Sequence, residues 1–255
     1  MYIPNGIIFL SLLLFSCQSN SQSRIRVHVP TAEEETAYVW QTLQDTRFFE
    51  ENNYTVSLPH GKLIEELKEE ARSGTLDQSN FERLQQFMGD SVYRVSDYDA
   101  GLHKIEQELT VINEMVNAID TSGYQWSFKL VEEYQVNLTL YGPGGSYNPD
   151  EGSILIFTTP IGEFKGYQKP KNTIIHEIVH IGIEASIINR YQVPHRLKER
   201  IVDTFVSLHF GERLPNYQVQ DMGETRSDQY LQSTDDFREL NTIVETILAT
   251  PPADR

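Results

Sequence analysis

The stretch that decides the architecture is KNTIIHEIVHIGIE, residues 171–184. Ile174, Ile175, Ile178, Val179, Ile181 and Ile183 fall on nearly every side of a helical projection. The segment therefore predicts a helix buried almost all round. His176 and His180 are four residues apart, so they share one face, one turn from each other. Glu177 follows the first histidine directly. Ionisable groups buried among isoleucines need partners, because an unpaired buried charge is costly. A metal ion would be such a partner. Neutral imidazoles are good zinc ligands, and two of them with one carboxylate leave a position open for water. In this HExxH spacing Glu177 can reach that water without coordinating the ion.

Two acidic residues lie within reach of the role of third ligand by sequence. Glu184 is on the same helical face as His180. A rise of about 1.5 Å per residue puts it about 12 Å from His176 along the axis, too far to share an ion. It is expected instead in a hydrogen bond or salt bridge near the site. A third histidine six residues after His180 would mark another zinc pattern, but that position is Ser186, which excludes it. Residues 194–210, PHRLKERIVDTFVSLHF, read as the next helix, opened by a proline. There Glu199 and Asp203 are four apart and share a face with Val202 and Val206, and two acids beside an apolar stripe again call for partners.

With those residues in view, the segment from Asn172 to Asp203 resembles the gluzincin peptidases, the thermolysin-like branch in particular: HExxH followed by ExxxD, with Glu199 nineteen residues after His180. The resemblance implies a zincin-like α+β fold, a small sheet followed by an active-site helix and a third-ligand helix. It implies Zn2+ held by His176, His180 and Glu199, with Glu177 as general base and Asp203 hydrogen-bonded to His176. It also implies an oxyanion-stabilising role for Tyr191, eleven residues after His180 in the connection between the two helices. His195 and His209 are the downstream histidines available as a further donor. GSILIFT, residues 152–158, is the expected edge strand of the cleft, able to pair with an extended peptide by strand addition.

Outward from this centre the chain divides by composition. Before it, YQWSFKLV (124–131) and QVNLTLY (135–141) alternate apolar and polar residues as half-buried strands do. Gly142-Pro143-Gly144-Gly145 reads as a turn-rich loop. Residues 32–120 are helical in pattern, with candidates at Thr36–Phe49, Lys62–Arg72, Asp77–Met88 and Asp97–Ile119. A last helix is expected over Asp235–Leu248, with Ser233 and Asp236 at capping-box spacing. The expected organisation is a signal peptide over 1–16, a lipid-anchored tether over 17–31, a mainly helical region over 32–122 and a zincin-like peptidase core over 123–255.

The tether rests on the N-terminus. IIFLSLLLFS, residues 7–16, is too short for a membrane span and suits a secretory signal core. Leu14-Phe15-Ser16-Cys17 followed by QSNSQS resembles the lipobox of bacterial lipoproteins, which implies acylation of Cys17 and attachment to the cell envelope, at the outer membrane or cell surface. The alternatives are a plain signal peptide or a buried apolar N-terminus. Cys17 is the only cysteine, and the formal net charge is −16. A chain so acidic lacks the basic face that phosphate binding needs, which argues against a nucleic-acid partner.

The expected function is therefore a lipid-anchored zinc peptidase acting on peptide or protein substrates. The rival readings are a non-catalytic surface lipoprotein with a partner or a structural zinc, and a zinc hydrolase of a non-peptide bond. The glutamate of HEIVH favours an enzyme, since a structural zinc site has no use for it.

Overall fold

The computed structural model describes residues 24–164, 169–220 and 224–250. The fold is α+β, a four-stranded sheet among helices. The signal stretch and Cys17 lie outside the described residues.

The chain enters through β1 (Ile25–His28), within the stretch expected to be tether. These residues pair in parallel with β2 (Tyr134–Thr139), Val27 against Val136. IRVH alternates apolar and polar side chains, which a strand at a sheet edge can use. β4 (Ser153–Phe157) pairs in parallel on the other side of β2, and β3 (Gly145–Asn148) closes the sheet antiparallel to β4. The order is β1-β2-β4-β3. GSILIFT is thus an interior strand, and the edge belongs to β3, which begins at the last glycine of what reads in sequence as a turn-rich loop. The correction rests on pairing: β4 is hydrogen-bonded to β2 on one side and to β3 on the other.

YQWSFKLV forms no strand. Its alternation is real, since Trp126 and Phe128 are buried and Gln125 and Ser127 are exposed. The backbone bonds to helix ends instead of a ladder: Gln125 N–H to Arg238 O at 2.8 Å and Lys129 N–H to Gly182 O at 2.9 Å. The Trp126 indole donates to Phe237 O at 2.7 Å.

Four helices follow β1: α1 (Ala32–Gln44), α2 (Thr46–Glu51), α3 (Lys62–Ser73) and α4 (Gln78–Phe87). Thr31 and Glu34 form a capping box on α1, and Asp77 and Asn80 form one on α4, each satisfying end N–H groups that a helix leaves unpaired. Val39, Leu43, Ile64, Leu67, Leu84 and Met88 make a small core of their own. The long helix α5 (Asp99–Asn117) does not belong to it. Ile105, Ile112, Met115 and Val116 pack into the main core with the sheet. The two cores therefore do not divide at residue 122: β1 and α5 go with the sheet.

Glu35 ties α1 to that sheet. It is fully buried, and its Oε1 accepts from Leu140 N–H at 2.8 Å and from the Thr139 hydroxyl at 3.2 Å. Burial pushes its carboxyl up to about 7, against the opposing effect of the Leu140 hydrogen bond.

Three further helices complete the main core: α6 (Pro170–Ile183), α7 (His195–Phe210) and α8 (Leu240–Ala249). Pro170 sits in the first turn of α6, where its missing N–H costs nothing. A π-helical turn, Glu184–Asn189, extends α6. The expected last helix splits: a 3₁₀ segment over Thr234–Glu239 carries the Ser233–Asp236 capping box, and α8 follows it.

Candidate metal centre

Every residue of α6 from Asn172 to Ile183 is buried, as a helix apolar on all sides must be. This brings two imidazoles and a carboxylate into the interior. α7 packs across α6 and buries Leu197, Ile201, Val202, Phe205 and Val206, which turns Glu199 toward both histidines. The Nε2 atoms of His176 and His180 are 3.0 Å apart, and each is 3.4 Å from Glu199 Oε2. One ligand atom from each of the three lies within 4.8 Å of the others, and all three residues are buried.

The electrostatics favour a cation at this point. Burial opposes a charge on His176, yet the neighbouring Asp203 and Glu199 carboxylates push its imidazole up to about 10. Burial lowers His180 to about 4, against the pull of Glu199. Glu199 resists desolvation because the two histidines hold its carboxyl well below the usual range. Three carboxylates, Glu177, Glu199 and Asp203, are enclosed beside two imidazoles. A divalent cation would neutralise that charge and occupy the facing nitrogen lone pairs, so the group could hold a metal ion.

Asp203 stands behind His176, with Oδ1 at 3.4 Å from Nδ1. A residue that no spacing revealed lies between them. The Tyr217 hydroxyl donates to Asp203 Oδ1 at 2.5 Å and is 2.7 Å from His176 Nδ1. Because that hydroxyl spends its proton on Asp203, its oxygen accepts from Nδ1–H. With a metal bound this would hold His176 as its Nδ1–H tautomer and turn the Nε2 lone pair toward the ion. Gln220 completes the shell: its backbone N–H donates to Asp203 Oδ2 at 2.7 Å and its side-chain amide to Glu199 Oε2 at 3.0 Å.

Glu177 faces a cavity of about 610 Å³ that also contains the three candidate ligands. Burial raises its carboxyl to about 7. The strand β3 forms one rim of the cavity. A Cβ on Gly145 would come within 2.3 Å of Glu177 Oε1 and 2.8 Å of Thr173 Cγ2, so a larger residue would displace the Glu177 carboxylate or push the strand back. The opposite wall comes from the helical region through Tyr38, Asp45, Phe48, Phe49 and Tyr54. The Tyr54 hydroxyl is 2.9 Å from His195 Nε2, and His195 Nδ1 is 3.5 Å from Glu199 Oε1. Thus His195 lines the site. His209 does not: it stacks on Phe205 at 3.9 Å and bonds to Phe205 O.

Tyr191 also lies away from the centre. The π-helical turn after α6 and the positive φ of Gln192 redirect the chain. Tyr191 packs against the main core, and the residue is not part of the cavity lining. Glu184, as expected, forms a hydrogen bond near the site: the Tyr147 hydroxyl donates to Glu184 Oε2 at 2.6 Å. No family model matches the sequence, and no curated protein or solved structure matches it either.

Proposed function

We propose that the protein is a zinc-dependent peptidase of zincin-like architecture, anchored to the bacterial envelope through an acylated Cys17. One observation carries the catalytic part: His176, His180 and Glu199 converge beside Glu177 in a cavity rimmed by an open strand edge. His176, His180 and Glu199 are the zinc ligands, and a bound zinc would polarise the scissile carbonyl and acidify the attacking water. Among the described residues no strand pairs with the outer edge of β3, and an extended peptide paired there would lay a carbonyl across the cavity. Glu177 takes the proton of the attacking water and delivers it to the leaving amine. Tyr217 and Asp203 keep the His176 ring in its ligating tautomer.

Glu177→Gln tests this reading. The variant is expected to retain zinc and lose hydrolysis of a peptide library, whereas Glu199→Ala is expected to lose the metal. Undiminished cleavage by Glu177→Gln would sink the mechanism. Zinc uptake by the wild type without cleavage of any peptide would leave a metal-binding recognition module, or a hydrolase of another bond. Cys17 is tested separately, by incorporation of labelled fatty acid into the wild type and its absence in Cys17→Ser. No helix of the described residues is long and apolar enough to cross a membrane.

A further inference from the structure

An imidazole that binds a metal usually has its second nitrogen tied by a hydrogen bond, which fixes the ring. His176 has this through Tyr217. His180 does not: among the described residues its Nδ1 is buried without a hydrogen-bond partner. Its ring instead lies flat against Tyr147, with centroids 4.7 Å apart and planes at 8°. Tyr147 is itself held at both ends. Its backbone pairs with Ile154 of β4. Its hydroxyl donates to Glu184 at 2.6 Å and accepts from the Lys198 ammonium at 3.0 Å.

The register of these contacts is specific. Glu184 is one turn beyond His180 on the same helical face, so a tyrosine laid along that face can cover the imidazole and reach the carboxylate together. Lys198 adjoins Glu199 in the chain, so the same hydroxyl also touches the helix that carries the third ligand. We propose that Tyr147 is a positioning residue for the metal centre. By this reading its ring sets the orientation of His180 in place of a hydrogen bond, and Glu184 and Lys198 act through it. The proposal rests on the metal-binding reading of His176, His180 and Glu199. It gives Glu184 a task although the residue is too far along the helix to be a ligand. It also links the strand edge that would receive a peptide to the geometry of one ligand.

The test compares Tyr147→Leu and Tyr147→Phe with the full-length wild type. Zinc affinity is measured by chelator competition, and the cobalt-substituted proteins are compared by visible absorption. Tyr147→Leu is expected to weaken zinc binding about 10- to 100-fold, the range for loss of a ligand's outer support, and to alter the cobalt spectrum. Tyr147→Phe keeps the ring but loses the hydroxyl contacts with Glu184 and Lys198, and is expected to fall between Tyr147→Leu and the wild type in both. Wild-type affinity and spectrum in Tyr147→Leu would overturn the proposal while leaving the metal reading intact. A wild type that takes up neither ion would overturn both. Should Tyr147→Leu fail to fold, the wild type still decides the matter by nuclear magnetic resonance. Ring protons of His180 stacked under a phenol are shifted upfield, and their absence from that position would refute the stack.

Discussion

Replacing Glu35 by glutamine should change how stability depends on pH. The carboxyl is fully buried, and burial raises it from 4.5 to about 7. In the unfolded chain it titrates near 4.5. Between these values the folded protein keeps a proton that the unfolded chain has lost. Stability must then fall as pH rises through that window and level off above about 7. At about 1.4 kcal/mol per pH unit the loss attributable to Glu35 comes to roughly 3 kcal/mol. Glutamine cannot ionise, and its carbonyl can still accept from the Leu140 N–H. The variant should match the wild type within about 1 kcal/mol at pH 4 and exceed it by about 3 kcal/mol at pH 8. Urea unfolding of both proteins at intervals from pH 4 to pH 8 measures the difference directly. Other titrating groups are common to both and cancel. A difference that stays constant with pH would refute the reasoning, as would one of opposite slope.

Gly182→Ala should destabilise by about 1–3 kcal/mol, because the new methyl would lie 2.0 Å from Phe128 Cζ and that ring is stacked on Phe205 at 5.6 Å. Thermal denaturation will show it as a lowered Tm. Gly145→Ala puts a methyl against Glu177 and should cut kcat about 100-fold, the scale of a lost general base, while zinc content of the same preparation stays unchanged. Tyr217→Phe removes the hydroxyl between Asp203 and His176, and chelator competition should report about tenfold weaker zinc binding.

Where a feature was local, the sequence revealed it. The histidine pair and the capping box at Ser233 follow from spacing along one helix, and Glu199 was singled out by the apolar stripe beside it together with the gluzincin resemblance. Features that depend on distant segments were hidden. Trp126 and Phe128 alternate with polar neighbours as strand residues do, but periodicity does not distinguish a ladder partner from the carbonyls of a helix end. The edge strand begins at the end of a glycine run whose composition signals a turn, and the closeness of Gly145 to Glu177 shows what its missing side chain makes room for. Tyr217 and Gln220 reach the site from an irregular segment beyond α7, where no period constrains position. Tyr191 failed for the converse reason. Its distance from His180 was suitable, but a π-helical turn lies in that interval and the residue ends up outside the cavity lining.

The position of β1 has a mechanical consequence. It lies at one edge of the sheet, and β3 with the cavity lies at the other, three strand spacings or roughly 14 Å across. Cys17 precedes Arg24 by seven residues, a leash of at most about 25 Å. With Cys17 acylated, the membrane would pull on the edge opposite the cleft. The cleft would then lie on the side of the sheet away from the anchored strand. Its working radius would be fixed by those seven residues and the width of the sheet, and this would confine its substrates to chains that come within a few nanometres of the lipid surface.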